Sequence, residues 1–244
     1  MRMTLADHLA ELRRRLGIGL LALLAAIGLC MTQAESIIAW LAVPAQAWLP
    51  YFAYFTPTEP LFAYLKVGGL AGLVVAMPVI LWQVWAFVRT GLTSRERSAG
   101  GLFVWWGTAQ FIAGVAFAYY VLLPLALNML LRIGEHFLKP MISIDQYLSF
   151  VTTLMLWCGL LFELPVLLVL LARVGIVTPE WLRQQRPYAI LVLVIIAAVA
   201  TPTTDPITLC LMAIPLIFLY QLSIWLSTLV QREHRPSRHR RRAQ

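Results

Sequence analysis

Charge is scarce in this chain. Only 12% of its 244 residues are Asp, Glu, Lys or Arg, and 61% belong to the apolar set AVILMFWYC. Soluble domains carry about twice that share of charge. So little polar material cannot coat a water-soluble globule, which excludes a soluble enzyme of ordinary type. A mean hydropathy of +0.79 excludes a disordered chain. Cysteine is limited to Cys30, Cys158 and Cys210, each alone in an apolar run, so neither a disulfide framework nor a cysteine-ligated metal is expected. The histidines His8, His136, His234 and His239 all lie outside the apolar runs, which leaves a Ser–His protease at membrane depth without its base. HExxH, a pair of buried Asp, a P-loop and GxGxxG are all missing. No enzyme, no cofactor and no metal is expected.

What is present is a series of uncharged or nearly uncharged runs: 16–34, 61–88, 102–131, 147–172, 188–200 and 207–230. They are continuous rather than alternating, and helices satisfy their own backbone in lipid. About 20 residues span a bilayer. The expected fold is an all-α integral membrane protein, one membrane domain over 1–244 with six transmembrane helices. Residues 188–200 are too few to cross the hydrocarbon and Pro215 interrupts the last run. Helices five and six are therefore expected to be short and the bundle concave.

Bases outnumber acids, 19 to 11, and 17 of the bases are Arg. In a membrane protein such an excess sets orientation and does not call for nucleic acid. With the N-terminus inside, sixteen cations fall on the cytoplasmic side, and only Lys66, Arg132 and Lys139 fall outside. Both termini are then cytoplasmic, and the tail 231–244 is an Arg-rich anchor on anionic lipid. Arg13-Arg14-Arg15 before an apolar run imitates a secretory signal. The patterned segment ahead of it and the five runs behind it argue for a retained span. That segment, 1–15, reads as an amphipathic surface helix. Thr4 and Asp7 form a capping pair, and Leu5, Leu9, Leu12 and Leu16 make one stripe. Residues 35–60 hold six aromatics and four prolines, Pro44 among them, and read as a short helix from about Ser36 followed by a packed cap.

Three acids stand out. Glu163 lies in an apolar run, where a carboxylate costs about 2.5–3.5 kcal/mol to insert. Either a neighbouring helix or the Leu161 carbonyl freed by Pro165 takes its proton, or it is a functional site. Glu11 and Glu96 sit on the cytoplasmic rim among arginines. Glu11 can pair with Arg14 or Arg15, and Glu96 lies between Arg95 and Arg97. Exposed pairs of this kind are worth about 0.2–1 kcal/mol.

Over about residues 4–230 the chain resembles the TatC subunit family of the twin-arginine protein translocase. The resemblance rests on HLAELRRRL (8–16), Pro44, VILWQVWAFV (79–88), RER (95–97), AFAYYVLLPLA (116–126), YLSFV (147–151), FELPV (162–166), RPY (186–188), TPTTDPIT (201–208) and MAIP (212–215), in order and on six runs. It implies a receptor in the bacterial cytoplasmic (inner) membrane that binds the Arg-Arg signal peptides of folded export substrates. Glu11 and Glu96 match its carboxylates, with His8, Arg13 and Arg97 beside them. Glu163 matches its intramembrane contact for single-span TatA-type and TatB-type subunits. Pro44, Pro165 and Asp205 are read as structural or gating turns, Asp205 as turn-former or functional group. The resemblance implies a homo-oligomer within a hetero-complex, with export driven by the proton gradient. Ser98 and Leu102-Phe103 stand where the family often has a second Arg and Pro-Phe, with Gly100 and Gly101 between, and Thr208-Leu209 stand where a glutamine is frequent. Two other readings remain open: a proton-coupled small-solute secondary transporter using Glu163, and a structural scaffold.

Overall fold

The computed structural model describes residues 5–46, 51–89, 100–132, 141–200 and 206–233. These form the helices α1 Leu5–Met31, α2 Ala34–Ala42, α3 Glu59–Val88, α4 Gly100–Phe117, α5 Leu123–Arg132, α6 Ile144–Phe162, α7 Leu164–Val174, α8 Pro179–Gln184, α9 Arg186–Ala200 and α10 Pro206–Glu233. The helices α1, α3, α4 with α5, α6 with α7, and α10 are each long and apolar enough to cross a membrane. α9 has 15 residues. That is about 22 Å of helix against about 30 Å of hydrocarbon.

Two expectations about the elements change. The amphipathic segment does not turn at the membrane surface, because α1 is unbroken from Leu5 to Met31. At about 1.5 Å per residue its 27 residues outrun the hydrocarbon, so its first turns project past the bilayer core without a bend. Nor is the last span short. α10 has 28 residues and carries Pro215 inside it. The ring removes one N–H, and the surrounding helix absorbs the loss. Shortness belongs to α9 alone.

Prolines shape two other spans. Pro165 has no N–H to give the Leu161 carbonyl, and the helix breaks into α6 and α7 with Glu163 at the joint. Pro124 likewise cannot donate to Tyr120, and residues Ala118–Leu122 ahead of it form a wider π-turn between α4 and α5. α4 packs through glycines seven residues apart. A Cβ at Gly114 would lie 2.6 Å from the Cys158 carbonyl oxygen, and one at Gly107 would lie 2.7 Å from Leu81 Cδ1. Only glycine lets α4 approach α3 and α6 this closely.

The core runs through α3, the α4–α5 joint, α6 and α10, and includes Val67, Leu122, Leu148, Leu154, Leu216 and Ile224. One end of the bundle gathers the arginines. Arg15 of α1 reaches Gln83 near the end of α3. Trp85 packs on Leu170 of α7, and Tyr220 of α10 donates to the Leu182 carbonyl of α8 at 2.8 Å. The start of α1, the ends of α3, α7 and α10, and α8 thus share one rim.

The far end is closed by the expected cap. The short helix is α2, followed by a 3-10 turn over Val43–Ala45 that contains Pro44. Trp40 stacks on Tyr119 with ring centres 4.0 Å apart. The Tyr119 and Tyr147 hydroxyls donate to the carbonyls of Trp40 and Leu41, both at 2.7 Å. Lys66 Nζ donates to Asp145 Oδ1 at 2.5 Å and to Ser149 Oγ at 2.7 Å, tying α3 to α6.

Candidate functional site

Besides the Lys66–Asp145 tie, two groups of polar side chains bear on function, one at the Arg-rich rim and one at the α6–α7 joint. At the rim, helix geometry places Glu11 and Arg15 one turn apart on one face of α1. Arg15 Nε donates to Glu11 Oε1 at 2.7 Å, and Arg15 Nη1 donates to Gln83 Oε1 of α3 at 3.2 Å. The side chains of Arg15 and Glu11 are only 21% and 22% exposed. Packing against α3 shields them, so the pair is not a freely hydrated surface bridge. Of the two partners the sequence allows Glu11, the structure selects Arg15, because Gln83 receives its other arm.

Below this triad a groove of about 430 Å³ runs between α1 and α3, lined by Leu12, Leu16, Leu20, Leu23, Ile80 and Val84 among others. Leu12 and Leu16 belong to the apolar stripe expected for the N-terminal segment. From Leu12 to Leu23 the groove follows about 16 Å of helix. It is apolar apart from Arg15 and Gln83. Glu11 adjoins this groove through its bond to Arg15, one of the groove's lining residues.

The second group centres on Glu163. The break at Pro165 lets Glu163 end α6, where its N–H bonds the Leu160 carbonyl at 3.1 Å. Its carboxylate lies against α4: a Cβ at Gly107 would stand 3.2 Å from Oε2. Glu163 Oε1 is buried and has no hydrogen-bond partner. The expected bland pairings, to a neighbouring helix or to the Leu161 carbonyl, do not satisfy this atom. Thr108 Oγ1, next along α4, is buried and unpartnered as well. Beside the joint, a cavity of about 190 Å³ is lined by Trp85, Phe103, Trp106, Pro165, Val166 and Leu170, with Arg173 its one charged residue.

Not every expected site residue joins these groups. Arg13 is exposed. Two residues past Glu11, it points about 200° away around the helix. His8 lies in α1, with its side chain outside the described residues. Glu96 and Arg97 belong to the connection 90–99 between α3 and α4, which lies outside the described residues. Asp205 lies outside them too. Pro44 stands in the cap and Pro165 at the Glu163 joint, both in structural positions.

Sequence reasoning passed over Gln83 and read Lys66 only as an outer-side cation. Each carried a signal, since they are the strongly polar side chains of an otherwise apolar run of 28 residues, 61–88. The glycines of α4 were also readable, as a seven-residue repeat of 100, 107 and 114.

Comparisons with known proteins bear on the whole chain. The family model of the Sec-independent protein translocase protein (TatC) matches residues 7–215. The chain is 41% identical over 230 residues to the chloroplastic Sec-independent protein translocase protein TATC of Arabidopsis thaliana, covering 94% of this chain and 68% of that protein. It is 39% identical over 235 residues to the Sec-independent protein translocase protein TatC of Aquifex aeolicus, covering 95% and 97%. A crystal structure of a twin-arginine translocase receptor, TatC, superposes with a TM-score of 0.81 at 38% identity, covering 92% of this chain and 99% of that one. Sequence and fold agree over the helices that carry Glu11, Gln83 and Glu163, and the chain belongs to the TatC family of Sec-independent protein translocase proteins, multi-pass membrane proteins that are not enzymes.

Proposed function

We propose that this chain is the signal-receptor subunit of a twin-arginine translocase. Glu11 and Glu96 bind the Arg-Arg pair of signal peptides on folded proteins at the cytoplasmic face. The apolar part of the signal lies in the α1–α3 groove. Glu163 contacts the single-span TatA-type and TatB-type subunits in the plane of the membrane. Both termini are cytoplasmic, and export draws on the proton gradient. The observation that carries the reading is Glu11: a shielded carboxylate bonded to the guanidinium of Arg15, which itself lines an apolar groove. A signal peptide has the same order, arginines first and apolar residues after.

The physics favours arginine over lysine. A guanidinium presents parallel N–H donors that match both oxygens of a carboxylate, and an ammonium is a hydrated point charge. The orientation rests on sixteen of 19 cations lying on one side. The solute-transporter reading gains no support, because the cavity beside Glu163 is apolar apart from Arg173. A transporter site needs convergent polar groups at the midplane.

The test is binding of a labelled Arg-Arg signal peptide to the full chain in nanodiscs. Each charge-assisted bond is worth about 1.5–3 kcal/mol. Glu11→Ala combined with Glu96→Ala is therefore expected to weaken binding about a hundredfold or more. Unchanged binding, or unchanged discrimination against a Lys-Lys peptide, overturns the assignment.

A further inference from the structure

The cavity beside the α6–α7 joint has no part in the receptor reading. Its wall comes from α3, α4, α7 and α10, and is apolar from Pro165 to Leu170 with Arg173 at its end. Along α7 that is eight positions, about 12 Å of helix. Leu102 and Trp106 of α4 border the cavity and are exposed, so it opens sideways onto the surrounding lipid. Arg173 differs from the arginines that follow it. Arg183 donates to Thr228 and Arg186 to Gln221, both on α10. Arg173 Nε is buried without a hydrogen-bond partner, and among the described residues no acid forms an ion pair with its guanidinium. A guanidinium keeps its charge at any ordinary pH. A partly desolvated charge without a counter-ion is costly.

We infer that this cavity binds one anionic phospholipid, with an acyl chain along the apolar wall and the phosphate on Arg173. The inference is independent of the receptor reading of Glu11. Polarity, size and position each point to this occupant. An apolar wall ending in a single cation has the same order as an acyl chain ending in a phosphate. The space is about 190 Å³. A transmembrane helix, about 10–12 Å across with its side chains, does not enter it, and a single acyl chain does. Arg173 lies in the last turn of α7, at the end of a span on the Arg-rich rim. Headgroups lie at that level, where tryptophans such as Trp85 and Trp106 on the same wall are favoured. Basic pockets between helices on a cytoplasmic side suit anionic headgroups. A guanidinium also meets two phosphate oxygens at once. A phosphatidylcholine headgroup would bring its own ammonium to a rim already rich in cations, so an anionic lipid is preferred over a zwitterionic one.

The experiment titrates the full chain in detergent with dioleoylphosphatidylglycerol or dioleoylphosphatidylcholine and reads the lipid adducts by native mass spectrometry. The first adduct is expected to form with the phosphatidylglycerol at a Kd about tenfold lower. Arg173→Gln is expected to erase most of that preference. Arg183→Gln removes a cation from the same rim but not from the cavity wall, and is expected to keep it. Val169→Trp fills the cavity and leaves Arg173 in place. It is expected to weaken the first adduct of either lipid, and it decides the matter alone if Arg173→Gln does not fold. Equal losses from Arg173→Gln and Arg183→Gln mean a general attraction by the rim and overturn the inference. So does a wild-type chain without a preference, or a first adduct unchanged by Val169→Trp. Displacement of the lipid by an excess of sn-glycerol 3-phosphate marks a site for phosphate alone and overturns it as well.

Discussion

Glu163 sits where its chemistry is least satisfied. One carboxylate oxygen is buried without a partner against the backbone of Gly107. A buried polar atom in that state costs about 1–3 kcal/mol relative to a satisfied one. Such a cost is tolerable where a second helix supplies the missing bond on assembly. Glu163→Leu, of similar volume, is therefore expected to raise the thermal stability of the isolated chain by about 1–3 kcal/mol while reducing copurification with the proposed single-span partners. A fall in both, measured by thermal unfolding and pull-down, argues that the carboxylate is satisfied within the chain. Glu163 was legible in the sequence because an acid in an apolar run has no bland surface explanation. Gln83 stood out as a polar residue in an apolar run, but its partner was not legible. Only the approach of α1 to α3 gives it a guanidinium to hold.

At the scale of elements, breaks and close approaches decide the geometry. Pro165 announced the α6–α7 break, since a ring inside an apolar run must free a carbonyl. The π-turn at Ala118–Leu122 has the same kind of cause in Pro124, yet its form is invisible to periodicity, which counts apolar residues and not turns of backbone. The unbroken α1 escaped for a different reason. An amphipathic stripe and a transmembrane run share one helical period, so nothing in the pattern marks whether the helix bends between them. The closeness of α4 to α6 rests on Gly114. Gly114→Ala sets a Cβ 2.6 Å from the Cys158 carbonyl, an atom of the backbone that cannot rotate away. It is expected to destabilise the chain by about 1–3 kcal/mol. Gly69→Ala in α3 meets nothing within 4 Å, and is expected to leave stability unchanged or slightly raised. Equal effects of the two in thermal unfolding argue against tight α4–α6 packing.

For the whole molecule, the scarce charges matter more than their number suggests. The apolar majority builds the spans, and α9 is the one that falls short of the hydrocarbon thickness. Most of the described arginines lie on one rim together with the ends of α3, α7 and α10, and there Arg15 joins the shielded carboxylate of Glu11 to the wall of an apolar groove. Class and the apolar spans could be read from composition and runs. The joining of Glu11, Arg15 and Gln83 could not, because it spans two helices separated by 68 positions. The most direct test places a photo-crosslinker beside the Arg-Arg pair of a signal peptide and adds the peptide to sealed inverted membrane vesicles holding this chain. Crosslinks mapped to the segment around Leu12 to Leu16 and to the end of α3 near Gln83, lost on Lys-Lys replacement in the peptide, are the predicted result. Crosslinks confined to the far-end cap near Tyr51 and Tyr54, or a map indifferent to Lys-Lys replacement, contradict the account.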